Sequence, residues 1–125
     1  HLAHAKSITF HPTDPNIIHV AVEVGGFLRS ADGGQTWTTI DNINPDAHRV
    51  LIPTNDPGKV YGTAPTTNCG PETPAGFCVS TDGGATWKSM TPRDFRIGYV
   101  DPFFVHPRDP NLLFVAGAKT ALKTS

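Results

Sequence analysis

The sequence predicts an all-β fold built from repeated units of four antiparallel strands, and three observations support this prediction. An octet of the form Ser-x-Asp-Gly-Gly-x-Thr-Trp occurs at residues 30–37 and again, 50 residues later, at 80–87. A His-Pro-x-Asp-Pro-Asn segment occurs at 11–16 and at 106–111. The remaining sequence has no sustained helical periodicity and contains short runs of β-branched and aromatic residues. A repeat of about 40 to 50 residues made of short strands is typical of β-propeller blades.

Three repeat units can be delimited, at about residues 1–45, 46–95 and 96–125. A looser copy of the Asp-Pro turn marks the second unit at 53–61, and the third unit stops where its own octet would begin. We therefore expect one domain, 1–125, that forms an incomplete propeller of about two and three-quarter blades.

Each unit contains short runs with strand character. The predicted strands are 7–10, 17–23, 27–30 and 37–40 in the first unit, 48–52, 60–64, 77–80 and 87–90 in the second, and 103–106, 112–116 and 121–124 in the third. Four strands per unit is the number that a propeller blade needs.

The repeated octet has the composition of a tight turn between two strands. Its Asp can accept backbone N–H bonds from the turn that it starts, and its glycines can adopt positive φ. Its Trp opens the next strand and offers a large apolar surface to the turn or to the neighbouring blade. The structural residues predicted on this basis are Ser30, Asp32, Gly33, Gly34, Thr36, Trp37, Ser80, Asp82, Gly83, Gly84, Thr86 and Trp87.

The octets resemble the Asp boxes, or BNR repeats, of sialidases, xyloglucan-degrading glycoside hydrolases, sortilin-type receptors and photosystem assembly factors. The order of turn segment, strand, Gly-Phe and octet covers almost the whole chain and is most similar to the xyloglucanase-like and sialidase-like secreted proteins. In these families the Asp box lies at the hairpin between the third and fourth strands of a blade, away from any active site. The resemblance therefore implies a structural role for Asp32 and Asp82, and no catalytic one.

Composition limits the partners that we expect. The formal net charge is −1, and the Lys and Arg residues are scattered, so neither nucleic acid nor an anionic membrane is an expected partner. No apolar run approaches the roughly 18 residues that span a bilayer. The chain begins with His1, from which we expect a processed or truncated N-terminus.

The two cysteines, Cys69 and Cys78, flank an insertion that the first unit lacks. A disulfide between them would close this loop at its base and would suit an oxidising compartment. We therefore expect an extracytoplasmic or secreted protein. The alternative is two unpaired thiols, because the spacing matches no metal or redox motif.

Motifs for catalysis are missing from the sequence. It contains no Gly-x-Ser-x-Gly elbow, no Cys-x-x-Cys, no phosphate-binding glycine loop and no His-Glu-x-x-His. We expect no cofactor and no metal site, because His11 and His106 occupy matched repeat positions, as structural residues do.

Glycoside hydrolysis requires two carboxylates on either side of the scissile bond. The carboxylates not explained by turns are Asp41, Asp46, Asp94, Asp101, Glu23 and Glu72. Asp101 is the weak catalytic candidate, because it precedes a first strand and differs from Lys6 and Ala47 at the aligned positions. The alternative is that Asp101 only starts an Asp-Pro turn.

His48 and Arg49 are weak candidates for binding residues, because a first strand lines the central channel of a propeller. The alternative is a solvated strand end. An arginine cluster that could hold a substrate carboxylate, as in sialidases, is not recognisable in the sequence.

These observations lead to three hypotheses about function. The first is a segment of an extracytoplasmic propeller that binds a glycan or a protein. The second is part of a glycoside hydrolase whose catalytic residues lie largely outside the segment, and the third is an assembly-factor scaffold. Fewer than three blades would leave two apolar faces uncovered, so we expect further blades, on the same or another chain, or self-association.

Overall fold

The computed structural model describes residues 4–40, 47–68, 75–90, 97–98, 103–115 and 118–119. These residues form only β-strands and turns, which confirms the predicted all-β class. The strands of the first two units are β1 (His4–Phe10), β2 (Ile18–Glu23), β3 (Gly26–Ser30), β4 (Thr38–Ile40), β5 (Arg49–Leu51), β6 (Val60–Asn68), β7 (Ala75–Ser80) and β8 (Lys88–Ser89). Those of the third unit are β9 (Ile97–Gly98), β10 (Phe103–His106), β11 (Asp109–Val115) and β12 (Ala118–Lys119).

The first two units form equivalent four-stranded antiparallel sheets. The strand order is β1-β2-β3-β4 in the first sheet and β5-β6-β7-β8 in the second. Every predicted strand of these units is present, although the fourth strands begin one residue after the Trp of the octet. The largest difference is β6, which continues to Asn68 because it pairs with the longer β7 across an irregularity after Ala64.

The third unit differs more from the prediction. β10 pairs with β11 as expected, but β11 begins at Asp109, where the repeat predicts a turn. A register shift between Val105 and His106 accommodates this early start, and the Asp109 carboxylate still accepts the backbone N–H of Asn111 at 3.0 Å. β9 pairs with β12 and was not predicted, and the predicted strand 121–124 lies outside the described residues.

The first two sheets pack face to face. Since side chains alternate along a strand, Ala21 and Phe27, which are register partners, lie on the face that meets the second sheet. They form one buried cluster with residues of that sheet, including Val50 and Trp87. The aromatic ring of Phe27 lies over Gly62, and an added Cβ at Gly62 would come within 2.5 Å of Phe27 Cζ.

Side-chain hydroxyls of the first strand also reach the second sheet. Ser7 Oγ donates to the carbonyl oxygen of Val50 at 3.1 Å, and Val50 N lies 3.2 Å from the same hydroxyl. Ile52 N donates to Thr9 Oγ1 at 3.1 Å. These bonds satisfy backbone groups of the edge strand β5 that pair with no strand on this side.

The second sheet meets the third unit through its opposite face. Tyr61 and Phe77 stack with ring centroids 5.5 Å apart and pack against Val105 and Leu113. The side chain of Asn55 donates to the carbonyl oxygen of His106 at 2.9 Å. The three units therefore stack in series, with the second sheet in the middle and packed on both faces.

Apolar side chains remain exposed on the two outer faces of this series. Ile8 and Phe10 are exposed on the first sheet, and Phe104 and Phe114 stack on each other at 4.8 Å on the third unit while remaining about half exposed. None of the described residues forms a helix with the length and hydropathy needed to cross a membrane.

Candidate functional site: the octet turns and an inter-sheet groove

The first octet is closed by hydrogen bonds to two side chains. Ser30 Oγ donates to Asp32 Oδ1 at 2.8 Å and accepts the backbone N–H of Gly34 at 2.8 Å. Asp32 Oδ1 also accepts the backbone N–H of Thr36 at 2.9 Å, and Asp32 Oδ2 accepts from the Thr36 hydroxyl. One carboxylate therefore ties the start of the turn to its end.

The second octet repeats this arrangement bond for bond. Ser80 Oγ donates to Asp82 Oδ1 at 2.7 Å and accepts the N–H of Gly84 at 2.8 Å. Asp82 accepts the backbone N–H of Thr86 at 2.8 Å and the Thr86 hydroxyl. The identical network explains why the same residue types recur at a spacing of 50 residues.

Positive φ is required at both glycines of each octet. Gly33 and Gly34 have φ of 74° and 94°, and Gly83 and Gly84 have φ of 72° and 95°. Side chains with a Cβ rarely adopt these angles, so the glycines are needed for the turn itself. Gly33 also donates its N–H to the carbonyl oxygen of Asn16 at 3.0 Å, which joins the octet to the Asp-Pro-Asn turn.

The octet carboxylates are held in their ionised form. The Thr36 hydroxyl, the Thr36 backbone N–H and the Ser30 hydroxyl together lower the pKa of Asp32 to about 2. The equivalent bonds from Thr86 and Ser80 lower the pKa of Asp82 to about 2. Because a general acid must carry a proton near the working pH, neither carboxylate is suited to that role.

The indole N–H of each octet Trp is bonded to its own turn. Trp37 Nε1 donates to Gly34 O at 3.0 Å, and Trp87 Nε1 donates to Gly84 O at 2.8 Å. The environments of the two rings differ, since Trp37 is 42% exposed whereas Trp87 is 8% exposed beneath the first sheet. Within the described residues, only Trp87 has a neighbouring sheet on its side.

A groove of about 270 Å³ opens between the first two sheets at the end where the second octet lies. One wall comes from the first unit and the other from the turns of the second unit. Its lining residues are His11, Ile17, His19, Arg29, Ile52, Pro57, Gly58, Val60, Thr81, Asp82 and Gly83.

His19 and Arg29 lie directly opposite each other on β2 and β3, on the face that meets the second sheet. His19 is 1% exposed, and its Nδ1 has no hydrogen-bond partner in the described part of the chain. Arg29 Nε is likewise buried without a partner there. Burial, together with the nearby charges of Arg29 and His11, lowers the pKa of His19 to about 4, so His19 is neutral at physiological pH.

His11 caps the turn that precedes β2. Its Nδ1 accepts the backbone N–H groups of Asp14 at 3.0 Å and Thr13 at 3.2 Å, so the neutral ring carries its proton on Nε2. At the matched position of the third unit, His106 Nδ1 accepts the N–H of Arg108 at 3.2 Å. Both histidines therefore stabilise the turns that follow them by accepting backbone N–H groups. His11 still has its Nε2–H donor beside the groove.

The structure describes only some of the residues predicted to bind or catalyse. His48 precedes β5 and donates its backbone N–H to Thr63 O at 3.0 Å, while Arg49 pairs with Thr63 in register, and neither lines the groove. Glu23 forms an ion pair with Lys6 at 3.5 Å. The other carboxylate candidates, Asp41, Asp46, Glu72, Asp94 and Asp101, lie outside the described residues.

The two cysteines can be placed only in part. Cys78 is fully buried on β7, on the face that meets the first sheet, and Cys69 lies outside the described residues. The disulfide therefore stays a prediction. Within the described residues, no three His, Cys, Asp or Glu side chains lie together as metal ligands would.

His19 and Arg29 were not identified as site residues from the sequence. A signal was nevertheless present, because the second unit carries Tyr61 and Val79 at the equivalent positions and the third unit carries Phe114 in place of His19. A His-Arg pair where the second unit carries Tyr and Val would have marked the position.

Comparison with known structures resolves the architecture that these sheets belong to. The structure of YCF48 from Cyanidioschyzon merolae, a β-propeller, matches with a TM-score of 0.50 at 19% sequence identity, over 78% of this chain and 30% of that chain. The fold is that of a β-propeller. The two complete four-stranded sheets correspond to propeller blades that pack face to face.

The propeller also has a relative in sequence. An alignment over 92 positions, which covers 68% of this chain, shows 27% identity to a probable oligoxyloglucan-reducing end-specific xyloglucanase from Neosartorya fischeri. The chain spans about a tenth of the length of that protein, since the match covers 10% of it. No family model matches the chain.

Proposed function

We propose that the chain is a segment of an extracytoplasmic Asp-box propeller that serves as a glycan- or protein-binding scaffold. The observation that carries this proposal is the complete engagement of both octet carboxylates within their own turns. Because Asp32 and Asp82 hold their own turns together, the octets would provide structural support for the blades and no catalytic groups. The loops and the channel face of the blades would then carry recognition.

Further blades are part of this proposal. They would lie on the same or another chain, or come from self-association, and would cover the outer faces that bear Phe10 and Phe104. Exposed aromatic and aliphatic side chains on flat sheet faces support this, because such faces otherwise favour aggregation.

The extracytoplasmic location rests on the proposed disulfide between Cys69 and Cys78. The burial of Cys78 in the sheet interface is compatible with a bridge that holds the base of the insertion. Thiol titration of the unfolded protein, with and without prior reduction, tests it. Two thiols that titrate before reduction would overturn the bridge and remove the argument for an oxidising compartment.

The second candidate function is glycoside hydrolysis, and the similarity to a probable xyloglucanase favours it. In this alternative the segment contributes Asp101 at most, and the other catalytic carboxylate lies on blades outside it. Two carboxylates about 5 to 10 Å apart are needed, so the enzyme would depend on those blades.

The deciding experiment uses the full-length protein and xyloglucan oligosaccharides. Binding on a glycan array without release of reducing sugar would support the scaffold, and sugar release that Asp101→Asn abolishes would support the hydrolase. Asp109→Asn is the matched control, because the Asp109 carboxylate accepts the backbone N–H of Asn111 in the same unit and the variant should leave release unchanged. If the protein neither binds glycans nor releases sugar, and instead captures a protein complex, the assembly scaffold would be favoured.

A further inference from the structure

The groove between the first two blades combines features that the repeat does not need. At the positions of His19 and Arg29, the second blade carries Tyr61 and Val79, which pack against the third unit. A histidine and an arginine in place of the tyrosine and valine leave polar atoms buried without partners among the described residues. Such atoms destabilise the fold unless water or a ligand satisfies them.

Arg29 gives the groove a site for an anion, although the ionised Asp82 carboxylate offsets its charge in the lining. Arg29 is permanently charged and forms no ion pair within the described residues. Among the described residues, Asp82 supplies the only carboxylate of the lining, and its two oxygens already accept hydrogen bonds from Ser80 and Thr86. A Cβ added at Gly83 would lie 4.0 Å from Arg29 Nε, so the guanidinium reaches across the interface as far as the octet turn.

Hydrogen-bond donors surround this charge. Neutral His19 has one ring N–H to donate, His11 has its Nε2–H, and Arg29 has the free Nε–H of its guanidinium. A guanidinium binds carboxylates and phosphates through paired N–H donors, and of the two only a carboxylate is planar like the guanidinium itself. We propose that the groove lined by His11, His19 and Arg29 binds a carboxylate group of a uronic acid sugar or of a peptide C-terminus.

The size of the groove fits one such group. A volume of about 270 Å³ is at the lower limit of ligand pockets, so it holds a single residue and not an extended chain. The site lies between blades, beside an octet turn, and does not depend on whether the propeller acts as a glycan scaffold. Failure of the glycan-array experiment would therefore not contradict the carboxylate site. Failure of the NMR titration described next would not contradict the glycan scaffold.

The test is an NMR titration of the full-length protein, followed on the imidazole nitrogens of His19 and the backbone amides of Gly58 and Gly83. The probes are D-glucuronate and N-acetylalanine, and their neutral counterparts are D-glucose and N-acetylalaninamide. Saturable shifts with either acid and none with the neutral compounds are the expected result. Shifts with glucuronate alone would identify the ligand as a uronic acid sugar. Shifts with N-acetylalanine alone would identify it as a peptide C-terminus.

The variants His19→Tyr and Arg29→Val introduce the residues of the second blade, so they should fold. Each should weaken acid binding by at least about tenfold, because a charge-assisted bond is lost. Arg108→Val is the control, since Arg108 is exposed on the third unit. No saturable shift with either acid, equal shifts with the neutral probes, binding of inorganic phosphate alone, or unchanged binding in Arg29→Val would overturn the proposal.

Discussion

The ring of Phe27 lies parallel to the indole of Trp87, with centroids 4.9 Å apart and an interplanar angle of 10°. Phe27 belongs to β3 of the first blade, and Trp87 closes the octet of the second. The octet Trp thus bonds its own turn through Nε1 and packs on the preceding blade through its ring. The contact couples the local turn to the stacking of blades, so the repeat specifies both at once.

Close packing over Phe27 leads to a prediction for Gly62→Ala. The added methyl would lie 2.5, 3.1 and 3.3 Å from three ring carbons of Phe27, which is fully buried and has little room to move. We expect the free energy of unfolding to fall by about 1–3 kcal/mol. Gly58→Ala is the control, because its Cβ would meet nothing within 4 Å. Urea unfolding that shows equal stability for the two variants would refute the inter-blade contact.

The octet carboxylates predict a loss of stability in acid. Their pKa is lower in the folded state than in the unfolded state, so their contribution is complete above the unfolded pKa of about 4 and is lost as the pH falls towards 2. Unfolding midpoints measured from pH 5 to 2 should decrease over this window. The double variant Thr36→Val, Thr86→Val should show a smaller decrease, because hydrogen bonds from the threonines are the largest cause of the lowered pKa values. An unchanged pH profile in that variant would contradict the account.

His19 predicts a second pH dependence, at higher pH. Its pKa is about 4 when folded, because burial, Arg29 and His11 all disfavour the charged ring. Between about pH 6.5 and 4 the unfolded chain binds a proton that the folded chain does not, so stability falls as the pH falls. We expect about 2 kcal/mol less stability at pH 5 than at pH 7 from this residue. His19→Tyr should lack this component, and an identical pH dependence would show that His19 is not its source.

Val24 predicts a stabilising substitution. It occupies the β2–β3 turn with φ of 61°, which is an unfavourable conformation for a β-branched residue, and its side chain is largely exposed. Asn tolerates this conformation, so Val24→Asn should raise the free energy of unfolding by about 1 kcal/mol. Val24→Thr keeps the branched Cβ and should give no such gain. Equal thermal stability for the two variants would indicate that the turn is not strained.

Much of the fold could be predicted because turn chemistry is local. The residues around Asp32 and Asp82 determine their own hydrogen bonds, and alternation of side chains identifies the strands on either side. The early start of β11 at Asp109 could not be predicted, because it depends on a register shift opposite His106. The strand β9 is only two residues long and has no sequence pattern of its own.

The groove could not be predicted for a different reason. His19 and Arg29 become neighbours only through the register of β2 and β3, and they become a site only when the second blade supplies the opposite wall. Sequence reasoning favoured His48 and Arg49 because of their place on a first strand. The groove becomes recognisable when equivalent positions of successive blades are compared, because the second blade has Tyr61 where the first has His19.

Face-to-face packing of the blades through their repeat residues is tested most directly by a double-mutant cycle on Phe27 and Trp87. Unfolding free energies of Phe27→Leu, Trp87→Leu and the double variant would be measured in the same denaturant series. We predict a coupling energy of about 0.5–1.5 kcal/mol, as expected for stacked aromatic rings. Strictly additive effects would mean that the two rings do not meet, and would contradict the stacking of the two blades.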